Sequence, residues 1–133
     1  MIRNWISAKL AGNTLLISLI LLSIFHILVL TGIVPSNIVW GGRSSNSASN
    51  IIALELIALL VTLIFILIVA LKAGYLKISK LKKVATVGIW IMAGFFLLNM
   101  AGNLSSPSLV EKMVFGPLTL IMALLAFRLG LEK

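Results

Sequence analysis

At 133 residues, 61% hydrophobic and only 11% charged, the chain departs from soluble domains, which are about 45–50% apolar and about 25% charged. Length and a mean hydropathy of +1.21 predict one small polytopic membrane domain, residues 1–133, built as an all-α, integral membrane four-helix bundle with short loops. Cysteine and aspartate are absent, which excludes disulfides, thiolate catalysis, haem attachment and iron–sulfur ligation, and the net charge of +8 comes from basic residues clustered between apolar runs rather than from a nucleic-acid-binding face.

Met1 to Leu10 sets Ile2, Trp5, Ile6 and Leu10 at helical spacing and reads as a short interfacial approach, with Trp5 at headgroup depth. The first span is expected over 14–34. Its apolar run exceeds the roughly 7–15 residues of a signal-peptide core and shows no clear small-x-small cleavage site. A loop follows, beginning Pro35-Ser-Asn-Ile-Val-Trp40-Gly-Gly42. It reads either as a helix stop with an aromatic-belt anchor or as a re-entrant turn whose glycines let backbone approach a ligand. Arg43 to Asn50 has turn composition.

The second span, 51–71, carries a single charge, Glu55. About 20 residues rising ~1.5 Å each cross the ~30 Å hydrocarbon core. A carboxylate inside that core costs roughly 2.5–3.5 kcal/mol on insertion scales, so Glu55 requires a partner or a polar cavity. Lys72 to Lys83 contributes five lysines, a loop suited to anionic lipid headgroups. The third span, 84–102, places Asn99 one turn from Asn103 on one helix face. Ser106-Pro107 reads as the N-cap and first residue of a fourth span over 107–129, with a bend expected near Val114–Pro117 and helix on both sides.

Four spans put both termini on the side of the lysine loop. That side holds nine basic residues, against Arg43 and Lys112 on the other. This positive-inside bias predicts cytoplasmic termini and, for a bacterial protein, residence in the cytoplasmic membrane.

Taking the middle of each run as the bilayer midplane, His26 lies roughly 3 Å, Asn99 about 8 Å and Glu55 about 9 Å toward the outer side. The candidate ligand-binding set is therefore His26, Trp40, Arg43, Glu55, Asn99 and Asn103. Each has a plainer reading: Glu55 as a helix-start carboxylate snorkelling outward, His26 as a packed histidine, the asparagines as interhelical fasteners. Glu111 and Lys112 read most simply as solvated charges at the rim. Ala58 and Thr62 continue the Glu55 face as a small, partly polar stripe, which predicts that Glu55 points inward, within reach of Asn99 or Asn103, with His26 below.

One histidine with no Cys or Asp argues against a metal site, and neither a P-loop nor a dinucleotide fingerprint is present; no cofactor is expected. The feasible chemistry is acid–base work by Glu55 and His26 on a hydrophobic substrate.

The pieces Pro35-x4-Trp40-Gly-Gly, Leu98-Asn99-x2-Gly102-Asn103 and Glu111-Lys112-x4-Pro117 are similar to those of small, uncharacterised four-span bacterial membrane proteins. That resemblance covers most of the chain and implies no activity. The general plan also resembles the four-helix sterol-isomerase and sigma-2-receptor group, which places acidic residues in a membrane pocket, but the motifs of that group are not found here residue by residue. Three readings follow. The first is an outer-leaflet pocket that binds or transports a small amphiphile, lipid or ion, a transporter of this size acting as a homo-oligomer. The second is an accessory subunit fastened by polar interhelical contacts. The third is an isomerase-like intramembrane enzyme using Glu55 and His26.

Overall fold

The computed structural model describes residues 5–42 and 48–132, which contain helices and turns and no strand. The helices are α1 (Ala8–Leu30), α2 (Ala48–Lys72), α3 (Lys82–Ser105) and α4 (Gly116–Gly130), the last preceded without a break by a π-helical turn, Glu111–Phe115. Four helical stretches are long and apolar enough to cross a membrane. α1 packs on α2, α2 on α3, α3 on α4, and α4 returns to α1, closing a four-helix ring.

α1 and α2 each bury mainly one stripe, whereas α4 is buried over most of its length. On α1 the stripe runs through Ala11, Leu15, Leu19 and Ser23, and on α2 through Glu55, Thr62, Phe65 and Val69, the three-and-four spacing of one helical face. Leu15, Leu19, Val69, Ile89, Met92, Met122 and Leu129 are fully enclosed and fill the half of the bundle nearest the termini. The opposite faces carry exposed Leu and Ile, among them Leu21 and Ile24 on α1 and Leu60 and Leu63 on α2. An apolar exterior of this extent suits acyl chains and not water.

Several boundaries differ from expectation. The Ser7 hydroxyl accepts the amide N–H of Leu10 at 3.1 Å, so α1 starts at Ala8 instead of 14 and absorbs the C-terminal end of the expected interfacial segment. It stops at Leu30, short of 34, because Gly32 turns into the left-handed region (φ 76°) and Val34 N–H closes back on Leu28 O. Gly74 (φ 85°) ends α2 in the same way. The fourth helix begins later than Ser106-Pro107, with helical hydrogen bonding from 109. The Ser106 hydroxyl accepts Ser108 N–H, and the Ser108 hydroxyl in turn caps Glu111 N–H. Gly116-Pro117 does not end the span: Gly116 N–H reaches back five residues to Glu111 O, and the π step carries the chain into α4 around a proline that has no N–H to offer.

The end of the bundle that holds the termini is laced by side chains. Arg128, which sequence reading sets among the basic residues of that side, is only 4% exposed. Its Nε–H donates to Ile6 O at 2.6 Å and its Nη1 pairs with Glu132 at 3.2 Å. Lys72 Nζ donates to Thr86 Oγ1 at 3.0 Å and to the Glu132 carbonyl at 2.5 Å, and Tyr75 OH donates to Asn13 Oδ1. Arg128→Ala should therefore destabilise the protein by about 2–3 kcal/mol in mixed-micelle unfolding, since it strands a carbonyl that bonds a charged donor, whereas Lys77→Ala on the exposed loop should be silent.

Candidate functional site

The site grows from two helix faces and one turn. Glu55 sits on the inward stripe of α2 at 1% exposure, with Ala58 and Thr62 leaving room beneath it. His26 lies on the inward face of α1, one turn beyond Leu22, and is largely buried. Its Nδ1 lies 2.6 Å from Glu55 Oε2. Trp40 Nε1–H donates to the other oxygen, Oε1, also at 2.6 Å. A carboxylate that already accepts from a donor-only indole is best completed by a second donor, so we assign the imidazole hydrogen to Nδ1. The inward orientation of Glu55 agrees with the stripe, and its partners do not. Asn99 Nδ2–H bonds Phe95 O on its own helix at 2.9 Å, and neither Asn99 nor Asn103 reaches Glu55 among the described residues. Both Glu55 oxygens are taken by His26 and by a tryptophan from the preceding loop.

That loop is folded back over the helices. Trp40 adopts a left-handed backbone (φ 53°), followed by Gly41 at φ 76°. For a non-glycine residue this costs roughly 1–2 kcal/mol, comparable to the roughly 1.5–3 kcal/mol of a hydrogen bond to a charged acceptor. The indole is turned onto Glu55 and is not a free anchor at a lipid boundary. Gly41 N–H donates to Glu111 Oε2 at 2.9 Å, Ser106 O–H donates to the same oxygen, and Ser108 O–H donates to Ile38 O at 2.8 Å. Glu111 is thus a partly buried tether, not a solvated rim charge as expected. Its role was signalled by Ser108-x-x-Glu111, a capping-box spacing in which the glutamate side chain has been diverted from its own helix to the loop. Arg43 lies outside the described residues.

Around these groups is a cavity of about 780 Å³, within the range of small-molecule pockets. Asn99, Asn103 and Glu111 line it together with Glu55, His26 and Trp40. Its apolar walls include Phe25, Phe65, Phe95, Phe96 and Phe115, with Phe25 and Phe115 tilted against each other at 4.9 Å between ring centres and Phe65 edge-on to Phe95 at 5.3 Å. Two lining residues, Ile57 on α2 and Leu98 on α3, are 60% and 75% exposed, which locates a lateral mouth between those helices. Thr62 and Thr119 lie at the floor, and beyond it the side chains of Leu19, Val69, Met92 and Met122 are packed solid. No buried side-chain nitrogen or oxygen among the described residues lacks a partner. His26 Nε2, which has no protein partner among the described residues, is therefore not fully buried, and His26 lines the cavity.

Comparison with family models, curated proteins and solved structures returns no match to this chain.

Glu55→Leu should destabilise by about 3 kcal/mol or more, because it leaves an imidazole and an indole N–H buried without an acceptor, while Glu55→Gln, which keeps one carbonyl oxygen, should cost less than half as much. Unfolding in mixed micelles distinguishes the two, and Trp40→Phe should match the smaller loss.

Proposed function

We propose that this protein binds a small amphiphile in the cavity beneath Trp40, with the polar head at the Glu55–His26–Trp40 cluster and the apolar body among the phenylalanines. The observation that carries the reading is that the bonded Glu55–His26–Trp40 cluster borders about 780 Å³ of open volume. Polar groups that serve only as fasteners gain from tight contact, and a void beside them forfeits it. The solid packing of Leu19, Val69, Met92 and Met122 below the floor favours binding over transport through a single chain. Entry is from the side, between Ile57 and Leu98. One observation favours acid–base catalysis as a second reading: Glu55 holds the Nδ1 side of a histidine that lines the cavity, a pairing that orients an imidazole for proton transfer.

Gly102 and Gly94 lie on the same helix with open space where a Cβ would sit, and only Gly102 lines the cavity. Saturable binding of the neutral fluorophore N-phenylnaphthylamine should weaken about tenfold in Gly102→Phe and stay unchanged in Gly94→Phe. Equal binding in both variants, or no saturable binding to the wild type, would overturn the reading.

The excess of basic residues on the side of the termini supports, as part of this proposal, a cavity in the outer leaflet of a bacterial cytoplasmic membrane with anionic lipid at the Lys72–Lys83 loop. With no native cysteine in the chain, a cysteine introduced at exposed Asn37 should react with an impermeant thiol reagent in intact cells, and one at Ser79 should not. The reverse pattern moves the cavity to the inner leaflet.

A further inference from the structure

The hydrogen-bond donors around the cavity are mostly engaged within the protein. Trp40 Nε1–H and His26 Nδ1–H end on Glu55; Gly41 N–H and Ser106 O–H end on Glu111. One of the two Asn99 amide hydrogens goes to Phe95 O, and the hydroxyls of Thr62, Ser105 and Thr119 go to carbonyls of their own helices. Apart from the side-chain amides of Asn99 and Asn103, what the described lining residues leave facing the open volume is acceptors. A carboxylate offers about four lone-pair sites, and Glu55 and Glu111 each accept only two hydrogen bonds among the described residues. Asn99 retains its amide oxygen, and His26 Nε2 has no protein partner among the described residues. Asn103, like Asn99 through its second Nδ2 hydrogen, carries an unengaged N–H as well as an oxygen among the described residues.

Charge points the same way. In a chain of net charge +8, no lysine or arginine is among the described residues that line the cavity, while two glutamates are. An anionic head here would meet two glutamate side chains, with no lysine or arginine among the described lining residues to pair with it. An ammonium head meets those carboxylates as a hydrogen-bonding cation. It also lies among aromatic faces that attract positive charge, those of Phe25, Phe65 and Phe95 among them.

Resting on the amphiphile-binding reading above, we infer that the ligand of this cavity is a protonated amine on an apolar chain or ring system, selected because the described lining presents two glutamates with spare acceptor sites and no lysine or arginine. The head sits between Glu55 and Glu111, and the body extends over the phenylalanines toward the lateral mouth.

The test uses three probes that differ only in the head group, dodecylamine, dodecanol and dodecanoate, competing with N-phenylnaphthylamine for the purified full-length protein in a neutral detergent at neutral pH. Dodecylamine should displace the dye at about one-tenth the concentration that dodecanol requires, and dodecanoate should be the weakest of the three. The amine-to-alcohol ratio should fall about fivefold or more in Glu111→Gln, which keeps an oxygen for Gly41 N–H; Glu55→Gln provides a second measurement should that variant fail to fold. Equal displacement by the three probes, or preference for dodecanoate, overturns the amine assignment while leaving the cavity as a binding site. Dye binding that none of the three displaces also overturns it. Failure of the dye itself to bind removes both the assignment and the binding reading on which it stands.

Discussion

A carboxylate without exposure to water must be given hydrogen-bond donors, and most of what distinguishes this bundle from four greasy helices follows from satisfying Glu55. One donor comes from α1 through His26, which sets the rotation of α1 against α2 near the Trp40 end. The other comes from the connecting loop through Trp40, which must turn through a left-handed backbone to deliver it. The loop, once drawn inward, exposes Gly41 N–H to Glu111, and so couples the start of the fourth helical segment to the same cluster. Three separate parts of the chain are thereby referred to one side chain.

The two ends of the bundle solve different problems. Near the termini, apolar side chains close completely, and the charged groups of Lys72, Arg128 and Glu132 fasten helix ends and the N-terminal segment to each other. At the Trp40 end the helices do not close. Aromatic rings and amides border a volume that the helices alone leave unfilled. The first arrangement holds the second in place: a rigid packed half lets the other half stay hollow without collapse.

Much of this was legible in the sequence, and the missing parts share a cause. Helix number and class follow from apolar runs long enough to span a bilayer, and the inward face of Glu55 follows from Ala58 and Thr62 at helical spacing. Partner identity does not follow. Trp40 lies fifteen positions before Glu55, in a loop whose path depends on a backbone conformation that tryptophan seldom adopts, so no periodicity could point its indole at the carboxylate. Asn99 looked like a partner because it is polar and at similar depth, but an amide can also bond its own helix backbone, and this one does. Ser7 and Ser108 are caps that were readable from residue type. They were outweighed by the longer apolar runs and, in the second case, by Ser106-Pro107, whose hydroxyl serves a turn instead.

The π turn at Glu111–Phe115 has an angular meaning. In an unbroken α-helix, eleven residues bring a side chain back to within about 20° of its starting direction, so Glu111 would share the face of Met122 and look into the packed interior. One additional residue in a turn rotates everything before it by roughly a quarter-turn relative to everything after. That rotation lets Met122 and Ala126 keep their places in the core while Glu111 swings to the side, where the Gly41 amide waits. The aim of this carboxylate is thus a matter of residue count along the backbone, independent of which side chains occupy the turn.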